Sequence, residues 1–292
     1  MVALFWLCLR VGSMLLEFEQ IGYTYAGGSQ AALNGLTLRI PKGKRCALIG
    51  QNGCGKTTLF LLANGLYRPQ QGMVRWQGEP LQYDRASLMA LRQKIGLVFQ
   101  DPEQQLVAST VEEDISYGLC NLGLPESEIA ERVGEAIAAF GLTELVNRPV
   151  HHLSLGQKKR VSLADVMVMQ PELLLLDEPT AYLDRRHTRD LMAKLKQIWA
   201  MGTTILMATH DLDLAYGWAD WVFVLDQGHL VLEGIPQDVF AHRDLLEKLH
   251  LGVPQVFEVL DRVETALSFH SQPSICTLES MRQKVLSEFR QG

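Results

Sequence analysis

Long apolar runs are missing from this 292-residue chain. No stretch approaches the roughly 18 consecutive apolar residues that a bilayer span needs, so any service to a membrane has to run through a partner. The apolar start Met1–Leu9 is short and has no basic residue ahead of it. It fits a signal peptide poorly, and it fits a start at Met14 with residues 1–13 as an extension. Cysteine is scarce. Cys8, Cys46, Cys54, Cys120 and Cys276 are odd in number, scattered and without a Cys-x-x-Cys pair. That pattern speaks against a disulfide framework or a zinc site and fits a reducing compartment. Positive charge is short as well: Lys and Arg number 27 against 33 Asp and Glu, a net charge of −6. A phosphate backbone wants a basic face, so no nucleic-acid partner is expected. Internal repeats and low-complexity tracts are also missing.

Apolar residues make up 47% and charged residues 21%, enough for a sizeable core. Short strand-like runs alternate with helical ones. Leu36–Ile40, Arg45–Ile49, Ile95–Phe99, Leu173–Leu176 and Thr204–Ala208 read as strands, and the run from Lys56 to about Gly65 reads as a helix. Leu173–Leu176 is continuously apolar, as in a strand covered on both faces. The alternation predicts an α/β fold with a mostly parallel sheet. Between about Thr110 and Gln170 no strong strand intervenes, and Ile129, Val133, Ala136, Ile137 and Phe140 recur at helical spacing. This predicts an inserted α-helical subdomain. Trp221–Leu225, Asp226-Gln227-Gly228 and His229–Leu232 read as a hairpin. Beyond about Pro254 lie two amphipathic helical candidates, the last with Leu278, Met281, Val285, Leu286 and Phe289 on one face.

Gly50-Gln51-Asn52-Gly53-Cys54-Gly55-Lys56-Thr57 matches G-x-x-x-x-G-K-[ST], after a strand and before a helix. Glycines let backbone N–H groups close around phosphate oxygens, and the helix presents its positive end. Lys56 reaches the β- and γ-phosphates, and the Thr57 hydroxyl is placed to ligate Mg²⁺. Leu173–Leu176 leads into Asp177-Glu178. Acids at the carboxyl edge of a parallel sheet sit where ligands bind. Asp177 is expected to hold Mg²⁺ through water and Glu178 to polarise the attacking water.

Further motifs follow in order: Val98-Phe99-Gln100, Leu153-Ser154-Leu155-Gly156-Gln157, Asp177-Glu178-Pro179-Thr180-Ala181-Tyr182-Leu183-Asp184 and Thr209-His210-Asp211. Over roughly Leu15 to Leu251 the chain resembles the ATP-binding-cassette ATPases. The resemblance implies a P-loop ATPase core, an antiparallel β subdomain and a helical C-terminal extension. It also implies that Tyr25 stacks on adenine and that the loop through Thr58 holds ATP. Gln100 senses Mg²⁺ and contacts the transport subunit. Ser154, Gly156 and Gln157 cover the γ-phosphate of a second protomer, Asp184 links the two sites, and His210 contacts the γ-phosphate. The catalytic set is then Glu178, His210, Gln100 and Lys56, and the metal set Thr57, Gln100 and Asp177. Ser154 can cap a helix beginning near Gly156. Non-transport cassettes carry coiled-coil or zinc inserts or a second cassette, and a GTPase carries an Asn-Lys-x-Asp base reader. The chain shows none of these.

Asn52 to Lys56, Arg92-Gln93, Val98 to Gln105 and Gln157 to Val161 resemble the ATPases of energy-coupling-factor importers, most of all the cobalt-import subunit, with nickel or a vitamin as the alternative cargo because such an ATPase does not touch the substrate. This implies a homodimer on the cytoplasmic face of the membrane, with a transmembrane coupling protein and a substrate-binding membrane component. Residues 14–254 form the ATPase domain. Residues 255–292 form the extension, which either holds the pair together or packs as a helical tail. Leu155 stands where the family carries Gly, and it is strained if that position needs positive φ. Tyr182 stands where a small residue is usual, and Asp165 puts a charge among Leu163, Ala164 and Val166. Cys54, near a helix N-terminus, is expected to have a lowered pKa and an alkylatable thiol, or else merely to fit the loop. Adjacent His151 and His152 cannot share a helix face and read as a solvated loop.

Overall fold

The structure is a computed structural model and describes residues 13–259. Its elements, in chain order, are β1 (Met14–Tyr23), β2 (Leu33–Pro41), β3 (Arg45–Ile49), α1 (Lys56–Ala63), β4 (Gln71–Trp76), β5 (Glu79–Pro80), α2 (Arg85–Lys94) and β6 (Ile95–Val98). Then come α3 (Val111–Cys120), α4 (Glu126–Ala139), α5 (Leu155–Met167), β7 (Leu173–Asp177), α6 (Arg185–Ala200) and β8 (Thr204–Ala208). The described part closes with α7 (Leu212–Trp218), β9 (Trp221–Asp226), β10 (His229–Gly234), α8 (Pro236–Ala241) and α9 (Arg243–Lys248).

Two sheets result. One is antiparallel, in the order β2-β1-β4-β5. The other runs β10-β9-β3-β8-β7-β6, parallel throughout except at the β9–β10 hairpin. Continuous apolar runs suit this arrangement because each central strand is buried on both faces. In β3, Cys46 and Leu48 join Leu173 and Leu175 in the core shared with the antiparallel sheet. Ala47 and Ile49 turn the other way and join Leu174 and Leu176 against the helices. Full burial of each such leucine contributes about 1.5–3 kcal/mol.

The helical insert is α3 to α5. A reciprocal cap starts α3, with the Thr110 hydroxyl accepting from the Glu113 N–H while the Glu113 carboxylate accepts from the Thr110 N–H. Val133, Ala136, Ile137 and Phe140 pack into the core as their spacing predicts, and Ile129 is half-buried at its edge. Four parallel strands, β6, β3, β7 and β8, end on one edge of the sheet. Gln100, Gly50, Asp177 and His210 lie at or just beyond those ends. That shared carboxyl edge brings distant motifs together. The amphipathic run from Leu278 to Phe289 and the extension at residues 1–12 lie outside the described residues.

Candidate functional site

The loop Gly50–Thr57 joins β3 to α1. A Cβ on Gly50 would lie 2.4 Å from the Leu225 carbonyl oxygen, so a side chain is excluded there. Gly55 caps α1 at φ 111°, and a Cβ there would meet the Ala32 oxygen at 2.6 Å. Because Gly55 has no side chain, nothing caps the first N–H groups of α1, and no acid sits in its first turn. Those donors are free for an anion. Lys56 is buried, and its ammonium folds back to donate to the Gly50 and Gln51 carbonyls at 2.7 and 3.1 Å. The hairpin turn supports the loop from behind, with the Gly228 N–H donating to the Cys54 carbonyl at 3.0 Å.

Beside the loop, the Thr57 hydroxyl donates to Asp177 Oδ2 at 2.6 Å. Burial pushes the Asp177 carboxyl up, while the Thr57 hydrogen bond and the Lys56 charge pull it down. The paired hard oxygens of Thr57 and Asp177 suit Mg²⁺, which prefers one or two protein oxygens together with phosphate. Glu178 follows at φ 45°, a left-handed conformation costing on the order of 1–3 kcal/mol for such a residue. Its N–H donates to the Ala208 carbonyl at 3.0 Å. Its Oε2 accepts from His210 Nδ1 at 2.8 Å, and its Oε1 is buried without a hydrogen-bond partner. The His210 ring is 70% exposed, so its outer edge remains open to a ligand.

Tyr25 is exposed at the loop's flank, where its hydroxyl bonds Thr58 Oγ1 at 2.9 Å, edge-on to Tyr23 and Tyr67. Gln100 is exposed two residues past β6, one strand over from Asp177. Among the described residues no hydrogen bond ties Gln100 to Thr57 or Asp177. Ser154 caps α5, bonding reciprocally with Gln157 at 2.8 and 3.4 Å. Again no hydrogen bond links Ser154–Gln157 to this chain's own Gly50–Thr57. Asp184 caps α6 and holds His187 through its N–H at 2.8 Å and its Nδ1 at 2.9 Å. The backbone bond from His187 is the main reason the Asp184 carboxyl is lowered. The His187 ring in turn lies against Gly156, where a Cβ would meet it at 2.9 Å.

Two expectations change, and Asp165 gains a partner. Leu155 does not need positive φ; it opens α5 in helical conformation and carries no strain. The strained departure is instead Tyr182, at φ 63° and 83% exposed. The helix-terminus effect on Cys54 loses to desolvation: the thiol is buried and its pKa is raised, with Lys56 opposing. Thiol labelling of the native chain should therefore modify exposed Cys120 well before Cys54 or the buried Cys46. Labelling of Cys54 at the Cys120 rate, read by peptide mass, would contradict this. Asp165, unexplained by pattern alone, accepts from the Gln105 amide at 3.1 Å. Gln105 also donates to the Ser162 carbonyl at 2.8 Å and accepts from the Phe99 N–H at 3.4 Å, next to Gln100. Burial pushes the Asp165 carboxyl up to about 7. His151 and His152 are exposed in a short turn.

Sequence pattern missed Lys159. It stands in the basic run Lys158-Lys159-Arg160, which looks solvated, yet it is buried on α5. Its spacing with Ser162 and Leu163, both buried, was the available signal.

A family model described as ABC transporter matches residues 33–181. A protein of Nostoc sp. described as an ABC transporter ATP-binding protein is 65% identical over 94% of this chain and 98% of its own length. An energy-coupling-factor transporter ATP-binding protein of Clostridium perfringens is 41% identical over 85% of this chain and 87% of its own. Among solved structures, cbiO1 of Clostridium perfringens, part of the ABC transporter complex cbiONQ, superposes with a TM-score of 0.72 at 40% identity. The match covers 85% of this chain and 99% of that one. A dimeric ATP-binding cassette bound to ADP and Pi superposes with a TM-score of 0.69 at 26% identity, over 76% of this chain and 99% of that one. With the phosphate loop, the paired acids and the histidine gathered on one sheet edge, the chain belongs to the ATP-hydrolysing subunits of ABC transporters, in the branch of the energy-coupling-factor ATP-binding proteins.

Proposed function

We propose that the chain powers an energy-coupling-factor importer of cobalt ions, as a homodimer seated on the cytoplasmic face of the membrane. Residues 14–254 are the ATPase domain, and residues 255–292 follow it as a C-terminal extension. ATP sits on the Gly50–Thr58 loop with Tyr25 at the base and Lys56 on the β- and γ-phosphates. Thr57, Gln100 and Asp177 would hold Mg²⁺, which supplies charge neutralisation at the phosphates when bound. Glu178 takes a proton from water as the new P–O bond forms and the β–γ bridging bond breaks, giving ADP and phosphate. His210 steadies the Glu178 carboxylate. Ser154, Gly156 and Gln157 of a second copy close the site, with Asp184 between the two sites.

The carrying observation is the contact chain Thr57–Asp177 and Glu178–His210 at the carboxyl ends of neighbouring parallel strands. The cobalt reading draws on the likeness to cbiO1. No described helix is long and apolar enough to cross a membrane, and the proposal assigns the span to partners: a transmembrane coupling protein and a substrate-binding membrane component. The test is ATP-driven uptake in vesicles that hold the full chain and the membrane proteins encoded beside it. Cobalt accumulation is the expected result. Accumulation of nickel or a vitamin instead would overturn the cobalt assignment, and co-purification with no membrane protein would overturn the transport role.

A further inference from the structure

The Glu178 loop has to be held in place by something outside itself. Glu178 and Tyr182 both occupy the left-handed region, at φ 45° and 63°. Within the loop, the Ala181 N–H donates to the Glu178 carbonyl at 3.1 Å, and the Leu183 N–H donates to the Thr180 carbonyl at 3.1 Å. Those turns leave the Pro179 and Ala181 carbonyls to be satisfied. The side chain that meets them is Lys159 on α5, only 7% exposed. Its ammonium donates to the carbonyls of Ala181 at 2.8 Å, Pro179 at 2.9 Å and Glu178 at 3.4 Å. A lysine has three donors, and all three are used on this one loop. Every partner is a backbone carbonyl, so the contact orders main chain.

α5 is also the helix that Ser154 starts. Lys159 lies five residues along it, about 7.5 Å at the helical rise. The first turn of α5 faces the partner's nucleotide in the reading above, and Lys159 on the same rigid rod grips the loop of this chain's own Glu178.

We infer that Lys159 is a positioning residue for hydrolysis, fixing the Glu178 loop to the helix whose first turn covers the second nucleotide. Closure over one site is then felt at the base of the other. The inference rests on Glu178 being the base. Burial lowers the Lys159 ammonium to about 8, opposed by the facing acids Glu178 and Asp101. Raising pH through that value removes the charge, whereas arginine in its place keeps it.

The experiment measures kcat and KM for Mg-ATP on the full chain, its Lys159→Met and Lys159→Arg variants, and Glu178→Gln as a control. Displacing a reacting group by about 1 Å can cost about 10²-fold. Lys159→Met should lose about 10–100-fold in kcat with KM within about three-fold, because the phosphate loop is untouched. Lys159→Arg should recover most of that loss, and it should lack the fall in kcat that the native chain shows above about pH 8. Native kcat in Lys159→Met, a loss carried wholly by KM, or the same alkaline fall in the native chain and Lys159→Arg would each overturn the inference. The pH comparison decides even if Lys159→Met does not fold. Native turnover in Glu178→Gln would sink the reading of the base itself, a separate failure.

Discussion

Glu178→Gln should bind ATP and accumulate a closed dimer while turnover falls by about 10²–10⁴-fold, the usual contribution of a positioned base. The amide matches the carboxylate in size, and its oxygen can still accept from His210 Nδ1, so the contact at 2.8 Å need not break. What disappears is the proton acceptor. A buried negative charge is also removed, and Glu178 is only 6% exposed, so that charge is little screened. Its removal lowers the repulsion between the site and a triphosphate. Tighter nucleotide retention and lost hydrolysis should therefore appear together. Steady-state phosphate release and retained nucleotide after gel filtration measure the two. Native turnover in this variant would remove Glu178 from the role of base.

Ser154→Arg should have the second-largest effect. Ser154 is exposed, and its hydroxyl and N–H form the reciprocal cap with Gln157 that fixes the start of α5, whose N-terminal end favours an anion. Arginine loses the cap and places bulk where the partner's phosphates would sit. Removing one such preorganised donor group costs about 10²–10³-fold in other enzymes, and a similar loss of turnover is expected. Binding of ATP by the single chain should change little, since no hydrogen bond joins Ser154 to Gly50–Thr57 of the same chain. Equal loss of single-chain binding, measured by equilibrium titration, would show that Ser154 acts within its own chain.

Much of this site is legible in the order of residues. Gly50–Thr57 can be read because each position has one chemical job, and Leu173–Asp177 because a strand covered on both faces tolerates no polar residue before its end. The central sheet follows from such runs. β1 is harder: its pairing shifts between Phe18 and Ile21, and Gln20 sits at φ 50°, so the alternation of faces breaks midway. Cys54 shows opposed effects in competition, where burial raises the thiol by more than the Lys56 charge and backbone hydrogen bonds lower it. Only the packing of the hairpin turn behind the loop reveals which wins. Lys159 was hidden for a related reason. A basic run on a helix looks like a wet face until the loop it feeds with hydrogen bonds is in place.

The central claim is that one copy's Gly50–Thr57 holds the triphosphate that another copy's Ser154–Gln157 covers. Sedimentation of the Glu178→Gln chain, with and without Mg-ATP, tests it most directly, beside the same chain carrying Ser154→Arg. The expected result is monomer without nucleotide, a dimer retaining two nucleotides with it, and monomer throughout for the double variant. A chain that binds Mg-ATP yet stays monomeric, or a dimer indifferent to both nucleotide and Ser154→Arg, would contradict the claim.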